Sequence, residues 1–296
     1  MNNDSPARNN SGRALSWTPS VREQARQKTR NKIARKRITI AAVSSLLVLG
    51  ALFGGLVSSP GWPVVKQTFF DWEYGQTVIS TVAKGLITNI TLTIIASIAI
   101  GILALTLALA RTSRSAALTP FRFLATAYVD VFRGIPLLLV ILLIGFGVPA
   151  LRLTGVTNSV LVLGTVAVVI TYSAYVAEVI RSGILSIHPS QRAAARSLGL
   201  SQTQTLRYVV LPQAFKRVVP PLLNDLVALL KDTGLVSILG VTDAVRAGQI
   251  AASRTFNYTP YVISAILFLL ITIPLTRYTD RVLKRSIEKQ NAQGNA

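Results

Sequence analysis

The chain has no cysteine, which excludes disulfides, a thiolate metal site and a cysteine nucleophile. It has a single histidine, His188, so neither a histidine metal cluster nor a relay of several histidines can be assembled. Acidic residues are scarce: 11 Asp and Glu stand against 31 Lys and Arg, for a formal net charge of +20. Such a surplus needs an anionic neighbour, either nucleic acid at the basic stretch Arg22 to Arg37 or lipid headgroups. Charge of either sign is thin, at 14% of 296 residues, while 51% are hydrophobic and the mean hydropathy is +0.50. A water-soluble domain rarely shows that balance, so the apolar surplus is expected to face lipid and the cations its headgroups. No G-x-x-x-x-G-K-[ST] run is present, so the phosphate cradle of a nucleotide-hydrolysing chain is missing as well.

What is present is a series of apolar runs long enough to cross a bilayer, for which about 20 residues at roughly 1.5 Å each suffice. They predict an all-α polytopic membrane protein with six transmembrane helices, near Ile38 to Val57, Gly85 to Ala110, Val131 to Leu151, Val160 to Ile180, Val218 to Leu239 and Tyr261 to Thr276. Lys and Arg near span ends stay cytoplasmic. Placing both termini in the cytoplasm gathers the cations of Arg8 to Arg37, Arg111 to Arg122, Arg181 to Arg217 and Arg277 to Lys289 on one side. The other side then receives only Lys66, Lys84, Arg152, Arg246 and Arg254. Residues 1–37 read as a disordered basic preface held near anionic lipid, and 38–57 as a retained anchor rather than a cleaved signal, since no Ala-x-Ala site follows. Residues 58–84 form an extracytoplasmic segment in which Trp62, Trp72 and Tyr74 suit the interface, and 286–296 a cytoplasmic tail.

The inward connection Arg181 to Arg217 is too polar to span. Ser190 after Pro189 can cap a helix over Gln191 to Leu198 that Gly199 ends; Ser201 with Gln204 forms a capping box for a second helix, which Pro212 interrupts. Ala193, Ala194 and Ala195 offer a small flat surface, with Arg192, Arg196 and Arg207 as a charged rim. Pattern alone leaves open a rigid protrusion that transmits force to a partner and an amphipathic hairpin lying on the bilayer.

The segment QRAAARSLGLSQTQTLRYVVLPQA resembles the coupling-loop signature of ABC importer permeases, with Ala194, Ala195, Gly199, Leu211 and Pro212 at the family's spacing. FRGIPLLLV at Phe132 to Val140, AYVAEVIRSGI at Ala174 to Ile184 and LLKDTGLVSILGV at Leu229 to Val241 resemble the polar amino acid subfamily, so the likeness covers about Gly85 to Arg285. Two positions depart from it: Ala193 stands where the motif has Glu, and Gly234 where the family usually has Ser. The resemblance implies a five-helix permease core at 85–285 plus one extra N-terminal helix. It also implies that Ser190, Ala193, Ala194, Ala195, Gly199, Leu200, Leu211 and Pro212 belong to an ATPase-coupling loop within 181–217. The expected partners are two cassette ATPases that carry ATP and Mg, a second permease subunit, an extracytoplasmic amino-acid-binding protein and the bilayer, with no nucleic acid and no cofactor on this chain.

Charged groups within spans cost about 2.5 to 3.5 kcal/mol each on insertion scales, so they face a partner or the pathway. Asn89, Glu178, Asn224, Lys231 and Asp232 are the candidates for a substrate pathway or gate. Asp130 with Arg133, and Glu178 with Arg181, have the i, i+3 spacing of structural ion pairs. Lys231 to Gly234 interrupts an apolar helix as a broken gate helix would, Gly134 and Pro136 should kink the third span, and His188 reads as a turn residue. The rival readings are an ATPase-independent secondary transporter or channel and a membrane anchor that binds nucleic acid.

Overall fold

The computed structural model describes residues 20–113 and 115–294, and every regular element among them is helical. They divide into two units, one ending at Val64 and one beginning at Val65. The first is dominated by α1 (Val21–Val57), 37 residues without a break. The basic stretch expected to be disordered is therefore helical from Val21 onward; the expectation for residues 1–19 lies outside the described residues. The cause is local: the Ser20 hydroxyl accepts the Glu23 N–H at 3.3 Å, and no Gly or Pro occurs before Gly50 in a stretch rich in Arg, Lys, Gln and Ala.

In the second unit, past the short α2 (Trp62–Phe69), α3 (Trp72–Thr112) starts under an Asp71 cap whose Oδ1 accepts the Tyr74 N–H at 3.0 Å. Val82, Leu86, Asn89, Thr93, Ala96, Ile100, Ala104 and Ala108 recur at helical spacing as its buried stripe, while Ile87, Ile94, Ile98 and Ile102 are exposed to what would be lipid. From Ala96 to Ala104 the stripe packs on α6 (Val160–Leu185), where Ala167, Val168, Thr171, Ala174 and Ala177 are buried, while Val82 and Leu86 pack against Ala244, Ala247 and Ile263 further along the chain. Small residues on both faces let the two backbones approach, the usual packing device where lipid removes the hydrophobic drive between helices.

Between them, α4 (Thr119–Gly134) and α5 (Leu137–Ala150) meet at a bend of 105°. The third expected span, Val131 to Leu151, is thus not one straight crossing. Pro136 removes a helix donor and forces Ile135 out of the α region, to φ −101° and ψ 131°. A tight hairpin follows, the loop-and-helix pair α7 (Pro189–Ser197) and α8 (Gln202–Gln204), which leads through a π-helical segment, Thr205–Val210, into α9 (Leu211–Asp232). The fifth expected span also changes character, because α9 passes at Thr233 into a 3-10 turn, Thr233–Leu239, which the left-handed Gly240 (φ 97°) closes. The chain ends in α10 (Ala244–Thr255) and α11 (Thr259–Gly294).

Four stretches are long and apolar enough to cross a membrane, Val21–Val57, Trp62–Thr112, Val160–Leu185 and Thr259–Arg285, or up to five with the bent α4–α5 pair. Six were expected. The shortfall is α9, where Lys216, Arg217, Asp225, Lys231 and Asp232 dilute the apolar run.

Candidate functional site

The loop between α6 and α9 is built on short-range bonds. The Ser190 N–H is accepted by Nδ1 of His188 at 3.3 Å, and the Ser190 hydroxyl lies 2.7 Å from the same nitrogen. The cap of α7 is therefore His188, not Ser190; Pro189 takes the first helical position, where its missing N–H costs nothing, and shifts the start by two residues. At the other end Gly199 adopts φ +84°, while the Leu198 and Leu200 N–H groups return to Ala194 and Ala195 carbonyls at 3.2 Å. The capping box forms as expected: the Gln204 N–H donates to Ser201 Oγ at 3.2 Å, and the Ser201 N–H to Gln204 Oε1 at 2.8 Å. Pro212 does not interrupt the second helix. The wider π winding, with the Leu211 N–H donating to the Leu206 carbonyl, places Pro212 in the first turn of α9, where a proline is tolerated.

Packing makes this hairpin stiff. Ile184, Ile187, Val210 and Ala214 form a buried cluster beneath it, and Ala195 points into the protein while Ala193 and Ala194 remain exposed. The base is closed by Arg217, whose Nη1 donates to the Ser186 carbonyl at 2.7 Å, and by Gly183, where any methyl group would overlap Val218. The expected arginine rim is only partly a rim: Arg192 turns inward to donate to the Ile184 carbonyl, and Arg196 donates to the Leu200 carbonyl at 2.8 Å. Arg207 lies 5.7 Å above the Tyr208 ring.

About two helical turns before the end of α6, Glu178 gathers three guanidinium groups. Arg111 Nη1 donates to its Oε2 at 2.7 Å, Arg181 Nη2 to its Oε1 at 2.5 Å, and Arg133 Nη1 stands 3.9 Å away. The Glu178–Arg181 pair forms as its spacing predicts. Asp130 and Arg133 do not pair, although both lie within α4: Asp130 is exposed, and Arg133 reaches toward Glu178 instead.

Of the other pathway candidates, Asn89 is taken up in a buried network. It is fully buried, its Nδ2 donates to Thr233 Oγ1 at 3.2 Å and Asp243 Oδ2 at 2.9 Å, and its Oδ1 accepts the Ala244 N–H at 3.1 Å, so no polar atom is left for a solute. Burial pushes the Asp243 carboxyl up from its ordinary value, against the pull of the Arg246 N–H and the Asn89 amide. Asn224 and Lys231 are exposed on α9, and Asp232 accepts the Tyr172 hydroxyl at 2.6 Å. Beside that pair a groove of about 300 Å³ runs between α3, α6 and α9, with Tyr172, Asp225 and Leu229 among its walls. Asp243 and Tyr172 escaped the sequence reading because only polar residues inside apolar runs were weighed, and a tyrosine counts as apolar there. The available signal for Asp243 was its place at the N-cap of Ala244–Thr255, where it accepts the Arg246 N–H at 2.8 Å.

Residues 115–288 match the family described as binding-protein-dependent transport system inner membrane component. The chain belongs to that family. The matched stretch takes in the bent helix pair, α6, the hairpin and α9 to α11 down to Glu288, which are the elements that build the site. Relatives agree with the membership of this inner membrane component. The chain is 30% identical over 214 residues to the arginine transport system permease protein ArtQ of Bacillus subtilis, covering 72% of this chain and 95% of that protein. It is 38% identical over 173 residues to the probable glutamine ABC transporter permease GlnM of the same organism, covering 56% of this chain and 78% of that one. A crystal structure of an amino acid ABC transporter with histidines superposes with a TM-score of 0.64 at 34% identity, covering 70% of this chain and 94% of its own.

Proposed function

We propose that this inner membrane component is the permease subunit of an ATP-driven importer for polar amino acids, forming half of a translocation pathway. The observation that carries the reading is the stiff hairpin 189–212, capped at both helices, seated on Ile184, Ile187, Val210 and Ala214 and joined through the π segment to α9. A partner that displaces α7 therefore moves α6 and α9 with it, because the hairpin has no slack loop at which the motion could dissipate. Ser190, Ala193, Ala194, Ala195, Gly199, Leu200, Leu211 and Pro212 form the coupling element, docked by two separate ATPases that hold ATP and Mg. The exposed, small Ala193 and Ala194 admit close approach of such a partner.

In this reading the chain crosses the membrane six times with both termini in the cytoplasm. Its α9 counts as a crossing whose charged face, with Asn224 and Lys231, turns toward a second permease subunit or the solute path rather than lipid. Asp232, held by Tyr172 where α9 changes winding, sits at the gate. The names of the relatives, which specify arginine and glutamine, support a polar amino acid as cargo and an external binding protein as its supplier.

The test is reconstitution of the chain with its cassette ATPase and binding protein in proteoliposomes, with labelled arginine or glutamine supplied outside. Uptake that requires ATP on the coupling-loop side is expected. Uptake by the chain alone, without ATPase or ATP, would establish a secondary transporter and defeat the proposal.

A further inference from the structure

Under the coupling hairpin lies a second cavity, about 700 Å³ in volume, that the transport reading does not use. Its walls are of two kinds. Leu109, Leu118, Ile184 and Leu185 line the side formed by the ends of α3 and α6, while Arg192, Arg196, Gln202, Thr203 and Thr205 line the hairpin side. Both α3 and α6 end here, at Thr112 and Leu185, so the cavity sits at the depth where hydrocarbon gives way to headgroups.

Arg196 is exposed at the mouth, and Arg192 is half-buried, with Nη2 given to the Ile184 carbonyl. Neither Arg192 nor Arg196 forms an ion pair among the described residues. The wall therefore offers guanidinium and hydroxyl donors on one side and aliphatic carbon on the other.

We propose that this cavity binds an anionic phospholipid, the phosphate held by Arg192 and Arg196 and the first acyl carbons laid against Leu109, Leu118 and Ile184. Phosphate suits the donors, since a guanidinium presents parallel N–H groups to two phosphate oxygens. A soluble phosphate would satisfy them equally, but it would leave the aliphatic wall wet; a phospholipid covers both. A bound lipid would brace the hairpin against the membrane and make the stiffness of the coupling element depend on the charge of the inner leaflet. The inference rests on the proposed orientation only for the choice of leaflet, and binding can be read without any transport.

The experiment is intact-mass measurement of the purified full-length chain in detergent, titrated with phosphatidylglycerol or phosphatidylcholine. Phosphatidylglycerol should be retained preferentially, and Arg192→Gln and Arg196→Gln should each reduce its retention, by about fivefold for one lost cationic contact to an anionic lipid. Because both variants keep the basic α1, the difference between wild type and variant reports the cavity and not that helix. Arg196 is exposed at the mouth, so its variant folds even if the change at Arg192 does not. Equal retention of the two lipids, undiminished phosphatidylglycerol on Arg196→Gln, or its displacement by millimolar inorganic phosphate would each overturn the proposal. Preserved lipid binding in a chain that shows no ATP-driven uptake would sink the transport reading and leave this one standing.

Discussion

Asn89 donates its side-chain amide to the carboxylate of Asp243 at 2.9 Å, across 154 positions of sequence, with both residues at 0% exposure. Through Thr233 and Ala244 the same amide ties α3 to the start of the 3-10 segment and the start of α10. A buried polar network of this kind stabilises only while every member is satisfied. Asn89→Ala should therefore lower stability by about 2 to 3 kcal/mol by stranding the Asp243 carboxyl. The check is the thermal midpoint of the purified protein in detergent; an unchanged midpoint would mean that the network contributes nothing.

Close backbone approach at the same junction gives a second expectation. A methyl group on Gly85 would stand 2.5 Å from the Asp243 carbonyl carbon and 2.6 Å from the Ala244 nitrogen, and backbone atoms cannot swing aside as a side-chain end can. Gly85→Ala should cost about 1 to 3 kcal/mol as α3 is pushed off the loop. A thermal midpoint matching wild type would show that α3 can shift freely there.

Removing the charge of Glu178 tests the cluster around it. Arg111, with a side chain only 10% exposed, would lose its counter-charge, and Glu178→Gln should destabilise by about 2 to 4 kcal/mol, near the lower end because Glu178 is itself 22% exposed. Arg111→Met combined with Glu178→Gln should recover part of that loss. Strict additivity in the double-mutant cycle would argue that the 2.7 Å contact carries no coupling.

Gly199 separates coupling from folding. Its φ of +84° strains any residue with a β-carbon, although no atom stands within 4 Å of where that carbon would lie. Gly199→Asp, whose short polar side chain tolerates the left-handed region, should cost about 1 kcal/mol or less, Gly199→Ala about 1 kcal/mol and Gly199→Val somewhat more, without impairing membrane insertion. In the reconstituted transporter the number of solutes moved per ATP should fall in that order. A constant ratio across the series would show that the hairpin turn does not transmit force.

Much of the site could be read from local signals. The capping box at Ser201 and Gln204 and the left-handed Gly199 need only neighbours within four positions, and both appear where the residues place them. Tertiary effects were harder to read. Asn89 resembled a pathway residue because hydropathy counts it as a polar intrusion, and only the folded chain brings Asp243 and Thr233 to it. Arg133 has Asp130 one turn away in α4, but it reaches toward Glu178, which only the folded chain brings within 3.9 Å. The fifth expected crossing, α9, is not among the helices apolar enough to span by composition, because its charged residues dilute the average over its circumference. Residues 21–37 are helical despite their charge because Ser20 caps them and Arg, Lys, Gln and Ala are good helix formers, a signal that net charge alone hides.

At about 1.5 Å per residue the 37-residue α1 is about 55 Å long, nearly twice the roughly 30 Å of hydrocarbon that Ile38 to Val57 would fill. The excess is a rigid mast bearing Arg22, Arg26, Lys28 and Arg30 at its far end. Beyond about 8 Å, physiological salt screens those cations from the bilayer, so lipid can neutralise only the turns nearest to it. The outermost charges must draw their counter-ions from solution or from a soluble acidic surface, and this end of the molecule is the part whose behaviour should change most steeply with ionic strength.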